Sequence, residues 1–545
     1  MLLFSNKALS TPQTLILATL MAIGFTLFPV QSTTAEDGLS ADPLWRHGTA
    51  GLDCQIVAYD PQSQKLLTTV ADGIEVLSIK SGKLLAKLSQ PAGFHATSVA
   101  VFNGRAAVAW APNDKRQSGH IRCYDVNNLE MIATFPAGYH PEMVTFSPDG
   151  RYLLAANEGE PSDDYSVDQE GSVTVIDTQA GISQATVRLA DFHDFDAKRD
   201  ELRTQGIRIF GPSQQHEDGL ATVAEDLEPE YIAISPDSQR AWVTLQENNA
   251  IAEIDLSRAK VTAIHPLGSK DFSALADQNS PWQTTGLDAS DRDGGWKIRN
   301  WPVSGLFQPD GAVAFEHSDE TYLVTANEGD PRVYAEYQES CPVAQLQKRK
   351  IQLAPRHPAR FLMDETKLGR LDVSVVGNCE SGEGYLEQLH CFGTRSFSIW
   401  RMSPNGSPEL VFDSGNDFER IVGREASDRF TSKSYLHGRC TAQGPEPESV
   451  VIGYLGSMRL AMISLERAGG IMVYDVSYPM QPKFLKYLPP LAEDGSRDCA
   501  PEGLVMIPAE TSPTHKPLLV VCNEVSGTTT AYQLDWNYHR LASSQ

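Results

Sequence analysis

Lysine and arginine are scarce in this 545-residue chain, with 45 of them against 70 aspartates and glutamates. So acidic a surface repels phosphate backbones, because non-specific nucleic-acid binding draws on Lys and Arg clusters; DNA and RNA are excluded as partners and cations are favoured. Long apolar runs are nearly absent as well. The exception is Thr14 to Phe28, an uncharged run of 15 residues after Lys7. It falls short of the roughly 20 residues a spanning helix needs. Ser32, Thr33, Thr34 and Ala35 follow it and suit signal-peptidase cleavage. Residues 1–35 are therefore expected to be a signal peptide, which makes the protein secreted or periplasmic with no stable membrane span after cleavage. The mature chain keeps 44 basic and 70 acidic residues, a net charge of −26.

Other absences narrow the chemistry. The chain has no Gly-x-Ser-x-Gly elbow, no His-Glu-x-x-His, no P-loop and no Cys-His framework with metal spacing. No nucleophile motif marks it as an enzyme, and none of these signatures assigns a cofactor. Cysteines number only 8. In an exported chain they can pair, and two pairings are expected: Cys379 with Cys391, close together in one insertion, and Cys440 with Cys499, each just before an acidic strand start. Cys123 and Cys522 sit within apolar strands and read as buried thiols.

Helical periodicity is rare, and what replaces it is short stretches rich in Val, Ile, Tyr and Thr between Pro, Gly, Asn and Asp clusters, the pattern of an all-β chain. These stretches repeat. "PEMVTFSPDGRYLLAANE" (141–158) reads as a hairpin turned at Pro148-Asp149-Gly150, and the same plan recurs at 229–247, 309–328, 447–466 and 501–524. Two weaker copies precede it at 55–73 and 97–114, with Gln55 and Thr97 where the others carry acid. The first three strand starts, Gln55, Thr97 and Glu142, lie 42 and 45 residues apart, the period of propeller blades. Third strands ending in a polar cap follow at 171–177, 249–255 and 469–475. The expected fold is all-β, a seven-bladed β-propeller of the WD40/YVTN-like kind, in one domain spanning 36–545 with its core at about 53–534. Insertions are expected at about 181–227, 257–305, 331–396 and 405–444, with one short helix at 196–206. Residues near 42–50 should supply the outer strand of the last blade, because little strand-like sequence remains after Leu534.

Propeller topology brings the two ends of each repeat to one rim, since the second strand returns antiparallel to the face where the first began. Ten acids should then surround one mouth: Glu142 with Glu158, Glu230 with Glu247, Asp310 with Glu328, Glu448 with Glu466, and Glu502 with Glu524. Two like charges about 6 Å apart at an effective dielectric near 20 repel by roughly 3 kcal/mol. Raised carboxyl pKa values, Arg or Lys counter-charges, or a divalent cation can relieve this. Arg467 and Arg332 are too few for ten acids. Ca²⁺, served by these carboxylates together with the Asn157, Asn327 and Asn523 amides, is the expected ligand, and a surface or matrix partner is the other candidate. The loop "GLDASDRDGG" (286–295), with Asp288, Asp291 and Asp293, lacks the first acid and the terminal Glu of an EF-hand and reads as a solvated turn.

The motifs "YLLAANEGEPSDDY", "EDLEPEYIAIS", "GLDASDRDGGWKIRNWPVSGLFQPDG", "TANEGDPRVY", "FGTRSFSIW", "VFDSGNDFE", "GPEPESV" and "SLERAGGIMVYD" together resemble the choice-of-anchor I family. These are exported bacterial propellers similar to the mesenchyme-specific cell-surface glycoproteins of biomineralising animals. The resemblance runs from about Asp53 to Leu534 and implies a secreted or surface-held propeller with calcium handling; some bacterial members bear an alkaline-phosphatase label. The chain departs from the family at Gln55, where Glu is common, and at 377–390 and 434–443, where acidic loops are replaced. It ends in "DWNYHRLASSQ", without a sorting motif or apolar tail. The alternative function is a metal-dependent phosphomonoesterase, in which clustered carboxylates hold metal ions that activate water and His140 serves as ligand or acid.

Overall fold

Each repeat opens on Pro and turns on small polar residues, and those two features set the strand ends. The computed structural model describes residues 38–48, 53–273, 285–376, 385–403, 406–425, 438–493 and 496–537. They fall in one compact unit, Gly38–Asn537. The apolar run at 14–28, its cleavage region and Cys379 lie outside the described residues.

Among the described residues there are seven four-stranded antiparallel sheets. Their first strands are Cys54–Asp60, Phe94–Phe102, Pro141–Phe146, Pro229–Ile234, Ala312–His317, Pro447–Leu455 and Pro501–Ile507. Each first strand touches that of the next sheet, and the seventh touches the first, so the arrangement is propeller-like. Second strands such as Tyr152–Asn157 are buried along their whole length, as expected for strands covered on both faces. Fourth strands such as Leu84–Ser89 alternate exposed with half-buried residues. The hairpin turn at 147–150 forms because Asp149 accepts hydrogen bonds from Ser147 Oγ (2.6 Å) and Arg151 N (3.0 Å). Gly150 there has φ of +72°, and a Cβ would meet the Phe102 ring at 2.0 Å.

The last sheet is completed by the other end of the chain. Gly38–Gly48 pairs antiparallel with Thr528–Asn537 as its outer strand, as the dearth of strand-like sequence after Leu534 predicts. The polar-capped third strands Ser172–Asp177, Ala250–Asp255 and Ile471–Asp475 are also present.

Three expectations are corrected. The insertions start later than expected, because Thr186–Ala190, Lys260–Pro266 and Glu409–Asp413 are fourth strands of their sheets. Edge strands with one wet face carry weak apolar alternation, which disguised them as loop. The helix expected at 196–206 is a 3₁₀ turn over His193–Lys198 continued by an α-helix over Arg199–Thr204. It is not the single helix: Val223–Asp226, closed by a Thr222/Glu225 capping box, and Asp417–Glu425 are helical too. Third, Cys499 is a free, exposed thiol whereas Cys440 is fully buried, so that pairing is not formed; Cys391 is likewise a free thiol. Among the described residues no helix is long and apolar enough to cross a membrane.

Candidate functional site

Proline at the start of a first strand has no N–H to give to the ladder. In four sheets the register slips directly after that proline: between Pro141 and Met143, Pro229 and Ile232, Pro447 and Val450, and Pro501 and Leu504. Each slip is a β-bulge, a device that re-aims a side chain, and each holds a glutamate: Glu142, Glu230, Glu448 or Glu502. His140, Glu446 and Ala500, each before a strand-opening proline, and Gln308, before Pro309, have φ between +40° and +56°. Non-glycine residues in this region cost on the order of 1 kcal/mol or more each and gather at functional sites.

These four carboxylates converge with two more, Asp310 and Glu328. Glu142, Glu230, Asp310, Glu328, Glu448 and Glu502 line one cavity of about 160 Å³ together with Ile56, Ser98, Met143, Tyr231, Gln246 and Ser449. No lysine, arginine or histidine is among the lining residues. The space corresponds to about five water molecules. One oxygen from each of Asp310, Glu328 and Glu448 lies within 4.8 Å of the other two. The buried Oε2 of Glu448 has no hydrogen-bond partner, and Gln246 Nε2 donates to Glu328 at 2.7 Å.

Burial and mutual repulsion push these groups up. Glu328 and Glu448 are raised well above the usual carboxylate range by burial first, and then by nearby acids, Glu466 and Glu446 for Glu328 and Glu328 and Asp310 for Glu448. Glu230 and Glu502 are raised the same way, Glu502 with Glu524 as its strongest antagonist. Asp310 rises less, to about 6, because burial is opposed by a hydrogen bond with Glu448. Glu142 is raised to about 7 by burial, against the pull of His140.

Of the second-strand acids, Glu328 lines this cavity, and Glu158, Glu247, Glu466 and Glu524 do not. His140 Nδ1 is 2.6 Å from Glu158, and its Nε2 is 3.6 Å from Glu142. Burial lowers the imidazole pKa, but Glu158, Glu142 and Glu160 outweigh it and bring His140 to about 9. It therefore stands as a cation at neutral pH. His140, Glu142 and Glu158 form a second group that could hold a metal ion. Glu247, 5% exposed, has an unpartnered Oε2 and is pushed to about 7 by burial. It borders a separate cavity of about 430 Å³ that Asp330, Asp372, Arg332 and Arg439 also line. Glu524 accepts from Gln55 Nε2 at 3.4 Å, so the departure at position 55 is a neutral donor to an acid.

Glu466 differs from the rest. It is 2.8 Å from Arg467 and is raised to about 8 by burial and by Glu446. Glu328, Glu446 and Glu466 make a third group of metal-ligating spacing, but Arg467 and Arg439 already hold Glu446. Glu446, Glu228 and Asp226 were not singled out from sequence. The signal was there in the repeated Glu-Pro-Glu of Glu228-Pro229-Glu230 and Glu446-Pro447-Glu448. In both, the first glutamate turns to arginine, Glu228 to Arg332 at 2.7 Å and Glu446 to Arg467 at 2.9 Å, while the second enters the cavity. Arg332 is buried against Asp226 and Glu228 and is not a counter-charge for the cavity.

Two expectations, one of a ligand set and one of a solvated turn, are corrected. Asn157, Asn327 and Asn523 are buried strand ends whose amides donate to Thr174 Oγ1 (3.0 Å), Ser398 Oγ (2.8 Å) and Thr528 O (3.2 Å), tying second strands to third. The loop at 286–295 is not a solvated turn: Asp288 is fully buried, Asp291 pairs with Arg370 at 2.8 Å, and Asp293 faces Lys297. Apolar surface around Trp301 and the insertion core covers this loop, which a reading of its charges alone misses.

A family model described as the choice-of-anchor I domain matches residues 55–479. A mesenchyme-specific cell surface glycoprotein of Strongylocentrotus purpuratus is 24% identical over 320 residues, which cover 53% of this chain and 40% of that protein. Gigasin-3a of Magallana gigas is 26% identical over 204 residues, 34% of this chain and 70% of that one. The chain thus spans less than half the length of the sea-urchin relative. Solved structures with a similar course include the Cps50 (Swd1) β-propeller domain of Myceliophteria thermophila, at 7% identity and a TM-score of 0.44 over 91% of this chain and 99% of that one. Hydrazine synthase of Kuenenia stuttgartiensis follows at 12% identity and a TM-score of 0.45, over 89% and 97%.

Proposed function

This chain belongs to the choice-of-anchor I family, and from that premise we propose that it is an extracellular or surface-held seven-bladed propeller that captures a divalent cation, calcium, at the acid-lined mouth of its ring. The observation that carries this reading is the 160 Å³ cavity walled by six carboxylates with no basic side chain among its lining. Ionised oxygens 4.8 Å apart repel by about 3 kcal/mol at an effective dielectric of 20. A proton or a cation must compensate.

The donor set favours a hard cation. Carboxylate oxygens with no thiol or imidazole on the cavity wall suit Ca²⁺, which takes 6–8 oxygens at about 2.3–2.6 Å. Three oxygens within 4.8 Å of one another fit around a sphere of that radius, so Asp310, Glu328 and Glu448 are the proposed ligands. Glu142, Glu230 and Glu502 supply charge and hold water in the remaining positions. Uptake displaces the protons that the raised carboxyl groups otherwise keep. The phosphomonoesterase reading draws no support here, since the wall presents only negative charge to a phosphate.

The relative named as a cell surface glycoprotein supports the surface assignment by likeness alone. The test is calorimetric titration of chelator-treated protein with CaCl₂ in two buffers of different ionisation heat. The proposal expects saturable binding with proton release, lost in Asp310→Asn/Glu448→Gln. Binding that the double variant retains, or no heat at all at millimolar calcium, overturns it.

A further inference from the structure

Cys54 and Cys522 are separated by 468 residues, yet their sulfur atoms lie 2.9 Å apart. Cys54 opens the first strand of the first sheet; Cys522 lies in the second strand, Leu518–Asn523, of the last. Both are buried, at 2% and 0% exposure, in an apolar cluster with Val57, Leu66, Val520 and Ala531 that joins those two sheets. Thr529 Oγ1, at 3.2 Å from Cys54 and 3.7 Å from Cys522, is the polar group recorded against the pair.

We propose that Cys54 and Cys522 form a disulfide that clamps the closure of the ring. Two sulfur atoms at this separation are closer than unbonded sulfurs rest, and a small rotation brings them to the bond length of about 2.05 Å. The place is the seam between the start and the end of the toroid, where the strand Gly38–Gly48 already completes the last sheet. A covalent bond there closes almost the entire chain into one loop, and long loops are where a cross-link most restricts the unfolded state.

The chemistry balances through thiol–disulfide exchange. The two cysteine thiols give up two protons and two electrons and form one sulfur–sulfur bond, while a small-molecule or protein disulfide of an oxidising compartment is reduced to two thiols. Burial and the facing Cys54 hold the Cys522 thiol well above its ordinary range. Thiolate is then scarce in the folded chain, so exchange takes place while the seam is open. This inference does not depend on cation binding, and its test uses no metal.

The full chain, produced in an oxidising compartment, is denatured with an alkylating agent, without reductant, and mapped by peptide mass spectrometry. The expected result is a single linked peptide pair joining Cys54 to Cys522, separated only after reduction. In Cys54→Ser, Cys522 should be fully alkylated without reduction. Alkylation of both residues in the unreduced wild-type chain overturns the proposal, as does a link from either one to another cysteine. Reductant should also lower the melting temperature of the wild type by several degrees while moving that of Cys54→Ser/Cys522→Ser far less; a linked wild type whose melting ignores reductant removes the clamp.

Discussion

Replacing Glu448 by glutamine isolates the repulsion on which cation capture depends. The amide keeps the volume and can still donate to Asp310, but it cannot ionise. Each ionised pair in the Asp310, Glu328 and Glu448 group is worth about 3 kcal/mol at the 4.8 Å limit of their separation. Two pairs vanish in the variant, about 6 kcal/mol with every group ionised, but the raised groups avoid most of it at neutral pH by keeping protons. The sign follows from linkage: a carboxyl whose folded pKa lies above its unfolded value loses stability as pH rises from the unfolded value through the folded one. Glu448→Gln in chelator should therefore match the wild type near pH 5 and exceed it by about 1–3 kcal/mol near pH 9, after discounting for solvent screening. Urea unfolding at pH 5, 7 and 9 reads this difference. Added calcium should reverse the order, because a ligand at 100 times its Kd stabilises the wild type by about 2.7 kcal/mol and the variant by less. A variant less stable than the wild type at pH 9 in chelator, or one that gains as much from calcium, refutes the reasoning.

Other outcomes follow from the same groups. Glu247, raised from 4.5 to about 7, makes chelated protein lose up to about 3 kcal/mol between pH 4.5 and 7, and Glu247→Gln should flatten that part of the stability profile. His140, raised from 6.5 to about 9, contributes stability that is complete below pH 6.5 and lost through pH 9, so His140→Gln should cost up to about 3 kcal/mol at pH 6 and little at pH 9.5. Arg332→Met leaves Asp226 and Glu228 buried without their guanidinium partner and should cost about 3–5 kcal/mol in equilibrium unfolding.

The frame of the fold was legible because each repeat carries its own punctuation. Pro-Glu at 141, 229, 447 and 501 marks a strand start whatever surrounds it, and a completing outer strand was expected near 42–50, where the structure has it at 38–48. Fourth strands such as Thr186–Ala190 were not legible, because a strand at a wet edge buries little and shows little. Convergence of the acids could be read from antiparallel topology, but their fates could not. Glu466 meets Arg467 next in sequence, whereas Glu446 meets Arg467, and Glu228 meets Arg332, only through the fold. Asn157, Asn327 and Asn523 look like ligands in a string of letters, yet their amides close strand ends. Cys54 and Cys522 come together only when the ring closes, which spacing along the chain does not reveal.

The most direct measurement is a crystal structure of chelator-treated protein soaked in calcium, with anomalous scattering used to locate the ion. The account predicts one strong anomalous peak bonded to Asp310, Glu328 and Glu448 inside the six-carboxylate cavity. A clear peak elsewhere on the chain with that cavity holding only water would contradict it.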